Sequence, residues 1–292
     1  MRDDERAKLD AYLGKGVRQV ETESSLLKST SRWLNSSAIR DLVAIWLLRK
    51  NGPDFPVEAD HTLGMATAVA QVQPAAEVEA LIAEERKINP GLDRFFRERF
   101  ISRYTNADFD QYAPGTVGGI MGRQIREFGF DLTLGRGDWS NVEAPASDYE
   151  YWRLRNGQLH DFEHIASGGQ FNSIGEIVVV FARMANHATH LSPKLAQALN
   201  VYLLFTGLRF FTRSLLHYPE TWLKAVECVE QGLKVGRESK PIWTYRFEDV
   251  MHLTPEKARE VLGVKGAYEV ESARESAIFR EEPWPHGDEK AA

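Results

Sequence analysis

The sequence contains one cysteine, Cys228, among 292 residues. That excludes an internal disulfide and any cysteine-rich zinc site, so a metal centre in this chain has to be built from histidine and carboxylate. The same scarcity points to a cytoplasmic protein. An excess of positive charge is also missing: 36 Lys and Arg stand against 42 Asp and Glu, a net charge of −6. Proteins that neutralise phosphates along a nucleic acid need clustered cations, so nucleic acid is excluded as the expected partner. Long apolar runs are absent, since no stretch approaches the roughly 20 residues needed to span a bilayer. The opening "MRDDERAKLD" has neither the apolar core of a signal peptide nor the acid-poor amphipathicity of a transit peptide. Any membrane contact is therefore expected to be peripheral. No internal repeat occurs, and no apolar/polar alternation is sustained enough to demand a sheet.

What remains reads as helix. The hydrophobic fraction of 43% and charged fraction of 27% are ordinary for a soluble chain able to bury a core. "SSAIRDLVAIWLLRK" has apolar residues at helical spacing, a serine cap and basic residues at its end. "AEVEALIAEERKI" and "LDRFFRERFIS" share that period and are split by "NPG", which predicts a helical hairpin. Residues 105 to 147 are crowded with Gly, Pro, Asp and Asn, a loop-rich connector enclosing one short helix at "TVGGIMGRQIREFG". Helical spacing resumes after Ser147 or Asp148 and stops at Gly168-Gly169, and a further helix follows from near Ser173. "SPKLAQALNVYLLFTGLRFFTRSLLH" is apolar almost all round, which predicts a central buried helix or a lipid-facing one. "LTPEKAREVLGV" has Thr254 at N-cap and Pro255 at N1. The expected architecture is all-α: a single helical domain over residues 1 to 265, then a charged, poorly ordered tail over 266 to 292.

The chemistry concentrates in "GQLHDFEHIASGG". At about 100° per residue, His160 and His164 lie about 40° apart on one helix face, with Asp161 about 60° from His164 on the other side. Glu163 is turned about 100° away. One helix can thus offer two imidazoles and a carboxylate to a divalent cation. Glu176, twelve residues after His164, offers a second carboxylate if its helix packs antiparallel to the first. Two alternatives stand beside this reading. Ser173-Ile-Gly-Glu176 also fits a capping box, in which Glu176 bonds the Ser173 backbone N–H. "HDFEH" also fits the H-x-x-E-H peptidase signature with Glu163 as general base, although no edge strand for an extended substrate is visible. The buried run "IVVVFA" after Glu176 favours an inward carboxylate that something must compensate.

The spacing His160-Asp161-x-x-His164, eleven residues, then Glu176 resembles the H-D-x-x-H-x11-E motif of the ubiquinone (coenzyme Q) biosynthesis family usually called Coq Four. "PGTVGGIMGRQIREFGF" is similar to the family's upstream Pro-Gly segment, and "IGEIVVVFA" to its Leu-Gly-Glu helix start. The stretch from "WLKAVECVEQGLKVGRE" to "AREVLGV" is similar to its closing segment. The likeness spans about residues 105 to 264. It implies a mostly helical homodimer on the inner membrane surface that partners other ubiquinone biosynthesis proteins. It also implies a divalent metal, usually zinc, held by His160, Asp161, His164 and Glu176, which serve as both metal and catalytic residues. The implied reaction is removal of the C1 carboxyl of a polyprenylated hydroxybenzoate with hydroxylation at the same carbon.

That conversion needs an electron acceptor, expected to be dioxygen, and zinc has no redox chemistry. Iron or manganese is compatible with a two-carboxylate donor set. A long isoprenoid tail needs apolar lining, for which "LNVYLLFTGLRFF" offers Phe205 and Phe210, with Arg209 and Arg213 as candidates to meet a head group. Arg123, Arg153 and Arg155 are weaker candidates of the same kind. His187 and His190 sit three to four turns beyond Glu176, too far to share its ion, and read as surface. The competing class is a non-catalytic scaffold that presents the quinone precursor and uses the metal as a staple.

Overall fold

The computed structural model describes residues 28–48, 59–129 and 143–280. Eleven α-helices form among these described residues: α1 Ser37–Leu48, α2 Ala59–Val72, α3 Ala75–Ile88, α4 Pro90–Glu98, α5 Val117–Phe128, α6 Asp148–Ser167, α7 Glu176–His190, α8 Pro193–His217, α9 Trp222–Glu238, α10 Pro255–Leu262 and α11 Ala273–Arg280. The fold is all-α; the described residues contain one isolated parallel bridge, Gly169 to Val270, and no strand.

Local signals set the helix ends. The Asn89 side chain accepts from Leu92 N at 3.1 Å and Pro90 occupies the first turn of α4, so "NPG" both ends α3 and starts its partner. Thr116 Oγ1 caps α5 through Gly119 N, and Ser147 Oγ caps α6 through Glu150 N, both at 3.1 Å. The connector is loop-rich as expected, with a 3-10 turn at Asn106–Gln111 and α5 inside it; its residues 130–142 lie outside the described residues.

Four apolar clusters fill the interior. One joins α5 and α6 to the segment around Tyr245–Val264, another joins α3 and α4 to the first half of α6 and the start of α8. A third unites α7, α9 and α11, and the last packs α1 and α2 on α8 through Trp46, Met65, Val201 and Phe205. Helices α7 and α9 meet almost backbone to backbone. A Cβ on Gly232 would lie 2.6 Å from Val178 O and one on Gly236 2.3 Å from Ala182 O. These two glycines, one turn apart, allow that approach. Asn186 spans the seam, donating to the carbonyls of Gly236 and Lys240 and accepting from Ile242 N at 2.9 Å.

Two expectations are corrected, and α8, read as either a central buried helix or a lipid-facing one, is buried on one side and leaves leucines exposed on the other. The helix buried most continuously is α6, not the more apolar α8: α6 buries Arg155, Asn156, Gln158, Asp161, Glu163 and His164 along with its apolar residues. Helix α8 leaves Leu204, Leu208, Leu215 and Leu216 exposed. Composition misleads here because α6 buries polar side chains that find partners, which hydropathy does not register. The tail, expected to be poorly ordered, packs as far as Arg280: Val270 and Phe279 are buried in the cluster of α7 and α9. Residues 281–292 lie outside the described residues.

His187 is the second correction. It is 3% exposed, its ring 5.4 Å from Trp152 and 6.0 Å from Trp243, and its Nδ1 donates to Asn200 Oδ1 at 2.7 Å. His190 is half-buried, with Nε2 2.9 Å from Ser239 O. Burial, with Arg183 nearby, pushes the His187 pKa down to about 4, outweighing its bond to Asn200. The unfolded chain therefore takes up this proton first, near pH 6.5. The contribution of neutral His187 is present above that pH and is lost as pH falls from about 6.5 to 4. A shift of that size corresponds to about 3 kcal/mol. His187→Gln, which keeps a donor for Asn200, is expected to lose less stability than the parent between pH 7 and 4 in urea unfolding series. Parallel pH profiles would show that His187 is not the group responsible.

Candidate metal centre

Helix α6 carries His160 and His164 on one face, and α7 begins with Glu176 opposite them. The reversal is made by Gly168, whose φ of 81° is left-handed, and by the turn 169–175. The cap of α7 differs from the capping box. Its N-cap is Gly175, whose N–H goes to Asn172 Oδ1 at 2.8 Å, and the Ser173 N–H goes to Ser276 Oγ at 3.0 Å. The Glu176 carboxylate is thereby left for the histidines: Oε1 lies 3.4 Å from His160 Nε2 and Oε2 lies 3.1 Å from His164 Nε2. Ligand atoms of these three residues all fall within 4.8 Å of one another. Four donors set tetrahedrally about 2.1 Å from a zinc ion are about 3.4 Å apart, so the cluster has the dimensions of a coordination shell.

The tautomer of His164 decides what the cluster can hold. Its Nδ1 faces two carbonyl oxygens, Gly169 O at 3.1 Å and Gln170 O at 3.0 Å. Carbonyls only accept, so Nδ1 carries a hydrogen, and in the neutral ring Nε2 presents a bare lone pair. That lone pair points at a carboxylate oxygen. Two acceptors at this separation demand a cation between them, a proton or a metal ion. An imidazole whose far nitrogen donates to backbone carbonyl is the arrangement that orients metal-ligating histidines. Phe171 stacks on the ring at 4.9 Å and holds its plane.

The charges reinforce one another. Burial lowers the His160 pKa, but the charge and hydrogen bond of Glu176, with Asp161 beside it, outweigh burial and raise it to about 9. Burial raises Glu176, yet His160 and His164 together hold its carboxyl well below the usual range. Asp161 is buried next to this group, and burial lifts its pKa to about 6 against the pull of the two histidines. Its carboxylate is not among the atoms gathered within 4.8 Å. The structure thus brings three of the four expected ligands together and sets Asp161 just behind them.

Glu163 is 3% exposed and ion-paired with Arg183 of α7; at about 100° per residue it lies about 60° from His160, as Asp161 does from His164, so it is the ion pair that takes it away from the cluster. Arg183 reaches Glu163 through Nε and, at 2.8 Å, through Nη2, which also donates to Asn156 O at 2.6 Å. A carboxylate clamped this way cannot serve as a general base at the cluster, so the peptidase reading loses its base, and no strand for an extended substrate occurs among the described residues. Arg183 lies seven residues after Glu176, almost the same helix face, and that periodicity was the available signal for it. Nothing in the sequence pattern announced the carbonyls of Gly169 and Gln170 as partners of His164.

The candidates on α8 separate. Phe205 packs with α1 and α2, Phe210 with Tyr218 and Phe279. Arg209 and Arg213 are buried, their guanidinium groups over Phe210 at 4.3 Å and Phe279 at 5.7 Å. Phe205 and Arg209 line a small cleft of about 50 Å³ with Trp46, Leu47 and Leu208. Burial, with Arg213 nearby, lowers the Arg209 pKa to about 10, against the opposing pull of Glu176. Arg155 is committed to Glu248 and Tyr245 O at 2.8 Å, whereas Arg123 and Arg153 are exposed. No helix among the described residues is long and apolar enough to cross a membrane.

No protein-family model matches the sequence, and no curated protein does. The structure is similar to the 2.85 Å crystal structure of a Nostoc punctiforme PCC 73102 protein provisionally named as a ubiquinone biosynthesis protein, with a TM-score of 0.54 and 19% sequence identity. The likeness covers 77% of this chain and 96% of that one. At this identity what the two share is the fold.

Proposed function

We propose that this chain holds a divalent metal ion between His160, His164 and Glu176, with Asp161 as an adjoining carboxylate, and that the site acts on a polyprenylated hydroxybenzoate in ubiquinone biosynthesis. The observation that carries the metal is His164 Nε2 aimed at the Glu176 carboxylate 3.1 Å away while its Nδ1 faces two backbone carbonyls. The motif spacing and the fold shared with the Nostoc protein support the substrate class. The reaction proposed breaks the bond from ring carbon C1 to the carboxyl carbon, releases CO2 and forms a C–O bond at C1. This is a two-electron oxidation: water supplies the oxygen bonded to C1, and dioxygen takes the two electrons and two protons and leaves as hydrogen peroxide. A bound ion supplies Lewis acidity for a phenolate or carboxylate oxygen, to which iron or manganese, but not zinc, adds redox chemistry. The chain supplies orientation: two imidazoles and a carboxylate face one point, while α6 and α7 shield it from most solvent. The homodimer, the membrane-surface location and the other biosynthetic proteins as partners belong to this proposal.

A second reading is favoured by one observation. Leu204, Leu208 and Leu215 are exposed within about 40° of one line along α8. Such a stripe suits a scaffold that presents a lipid with the metal as a staple.

Carboxyl-labelled precursor separates the two. Metal-loaded protein under dioxygen is expected to release labelled CO2, to form hydrogen peroxide and to take the product hydroxyl oxygen from labelled water, and Glu176→Ala is expected to release no CO2. Release of no labelled CO2 by intact, metal-loaded protein would remove the catalytic reading and leave the scaffold.

A further inference from the structure

Both faces of the candidate centre are oriented by one short turn. The carbonyls of Gly169 and Gln170 receive the His164 Nδ1 hydrogen, and Gly175 leads directly into Glu176. That turn is held in turn by the C-terminal segment. Val270 N donates to Gly168 O at 2.9 Å, and a Cβ on Gly168 would lie 1.9 Å from Tyr268 O, so the two stretches run in contact. Beyond the bridge, Ser272 enters the turn. Its N–H donates to Gln170 Oε1 at 2.8 Å; its hydroxyl lies 3.0 Å from Asn172 Oδ1 and 3.3 Å from Gln170 Oε1.

A hydroxyl has one hydrogen to give, and its two neighbours here are acceptors. Asn172 Oδ1 also accepts the Gly175 N–H at 2.8 Å, while Asn172 Nδ2 donates to Gln170 Oε1 at 3.2 Å. The Ser272 hydroxyl thus gives the Asn172 amide oxygen a second donor beside the Gly175 N–H and helps hold that oxygen against the first turn of α7. Ser272 is 0% exposed, so water does not substitute for it.

We propose that Ser272 is a positioning residue of the metal centre, acting through Asn172 and Gln170 on the direction of Glu176 and His164; the proposal rests on the metal reading above. Groups outside the coordination shell that orient ligands typically change metal affinity by about 10- to 100-fold when removed. A residue that only closes the fold would lower stability and leave affinity alone.

The test uses the full chain stripped of metal and titrated with cobalt(II), followed by its visible absorption, alongside the melting temperature of the metal-free protein. Ser272→Ala is expected to weaken cobalt(II) about tenfold and to alter the spectrum. Asn172→Ala, at a half-buried position, is expected to do the same. The double variant should bind no more weakly than the weaker single, because both substitutions break one chain of hydrogen bonds. Unchanged affinity and spectrum with a lowered melting temperature would overturn the positioning role, as would strictly additive losses in the double variant. Parent protein that fails to bind cobalt(II) would overturn the metal reading itself, and this inference with it.

Discussion

His164→Ala is expected to reduce the metal content of the purified protein from one equivalent to essentially none. Of the ligand candidates, His164 is the most tightly prepared: its far nitrogen is tied to two carbonyls and its ring is stacked on Phe171. Loss of an oriented ligand should cost more than loss of an outer-shell partner, hence more than about 100-fold in affinity. Stability follows the metal by mass action. At a metal concentration about 1,000 times Kd the parent gains about 4 kcal/mol over its stripped form, whereas a variant weakened about 100-fold or more should gain about 1.4 kcal/mol or less. Mass spectrometry of metal content, with unfolding measured before and after chelation, checks both. If neither protein carries metal and chelation changes nothing, His160, His164 and Glu176 are a buried ion cluster and no more. Should metal be present, its identity decides whether electrons in the proposed reaction can pass through it.

The largest stability effect is expected at Arg183. Arg183→Met keeps an apolar stem of similar length and leaves the Glu163 carboxylate buried without its cation, while Asn156 O loses a donor. Breaking one partner of a buried ion pair costs about 3 to 5 kcal/mol, because the remaining charge keeps its desolvation penalty. For a chain of this size that is a fall of about 10 °C in melting temperature. Replacing both members, Glu163→Met with Arg183→Met, should recover most of the loss, since no charge is then left stranded. A single-variant loss below about 1 kcal/mol would mean that the pair is not desolvated as its geometry indicates. The pair joins α6 to α7 one turn from the metal candidates, so metal affinity of the double variant also shows how far the helix pair is aligned by charge and how far by packing.

The sequence by itself determined the helical character of the chain, several of its boundaries and the face of α6 that carries the imidazoles. Those features are local: caps at Asn89 and Ser147, the break at Gly168, and an angular period that puts His160 and His164 together. Tertiary structure alone decided the rest, because each remaining question concerned residues far apart in the chain. It resolved Glu176 in favour of the histidines by giving the Ser173 N–H to Ser276, one hundred and three residues on. It buried His187 between Trp152 and Trp243, residues that helical spacing around His187 does not show. It ordered the segment to Arg280, whose charged composition reads as a loose tail, by fitting Val270 and Phe279 into the core of α7 and α9. It made the polar α6 the continuously buried helix and exposed leucines on α8, since burial follows the availability of partners, and partners are assigned only when the whole chain has folded.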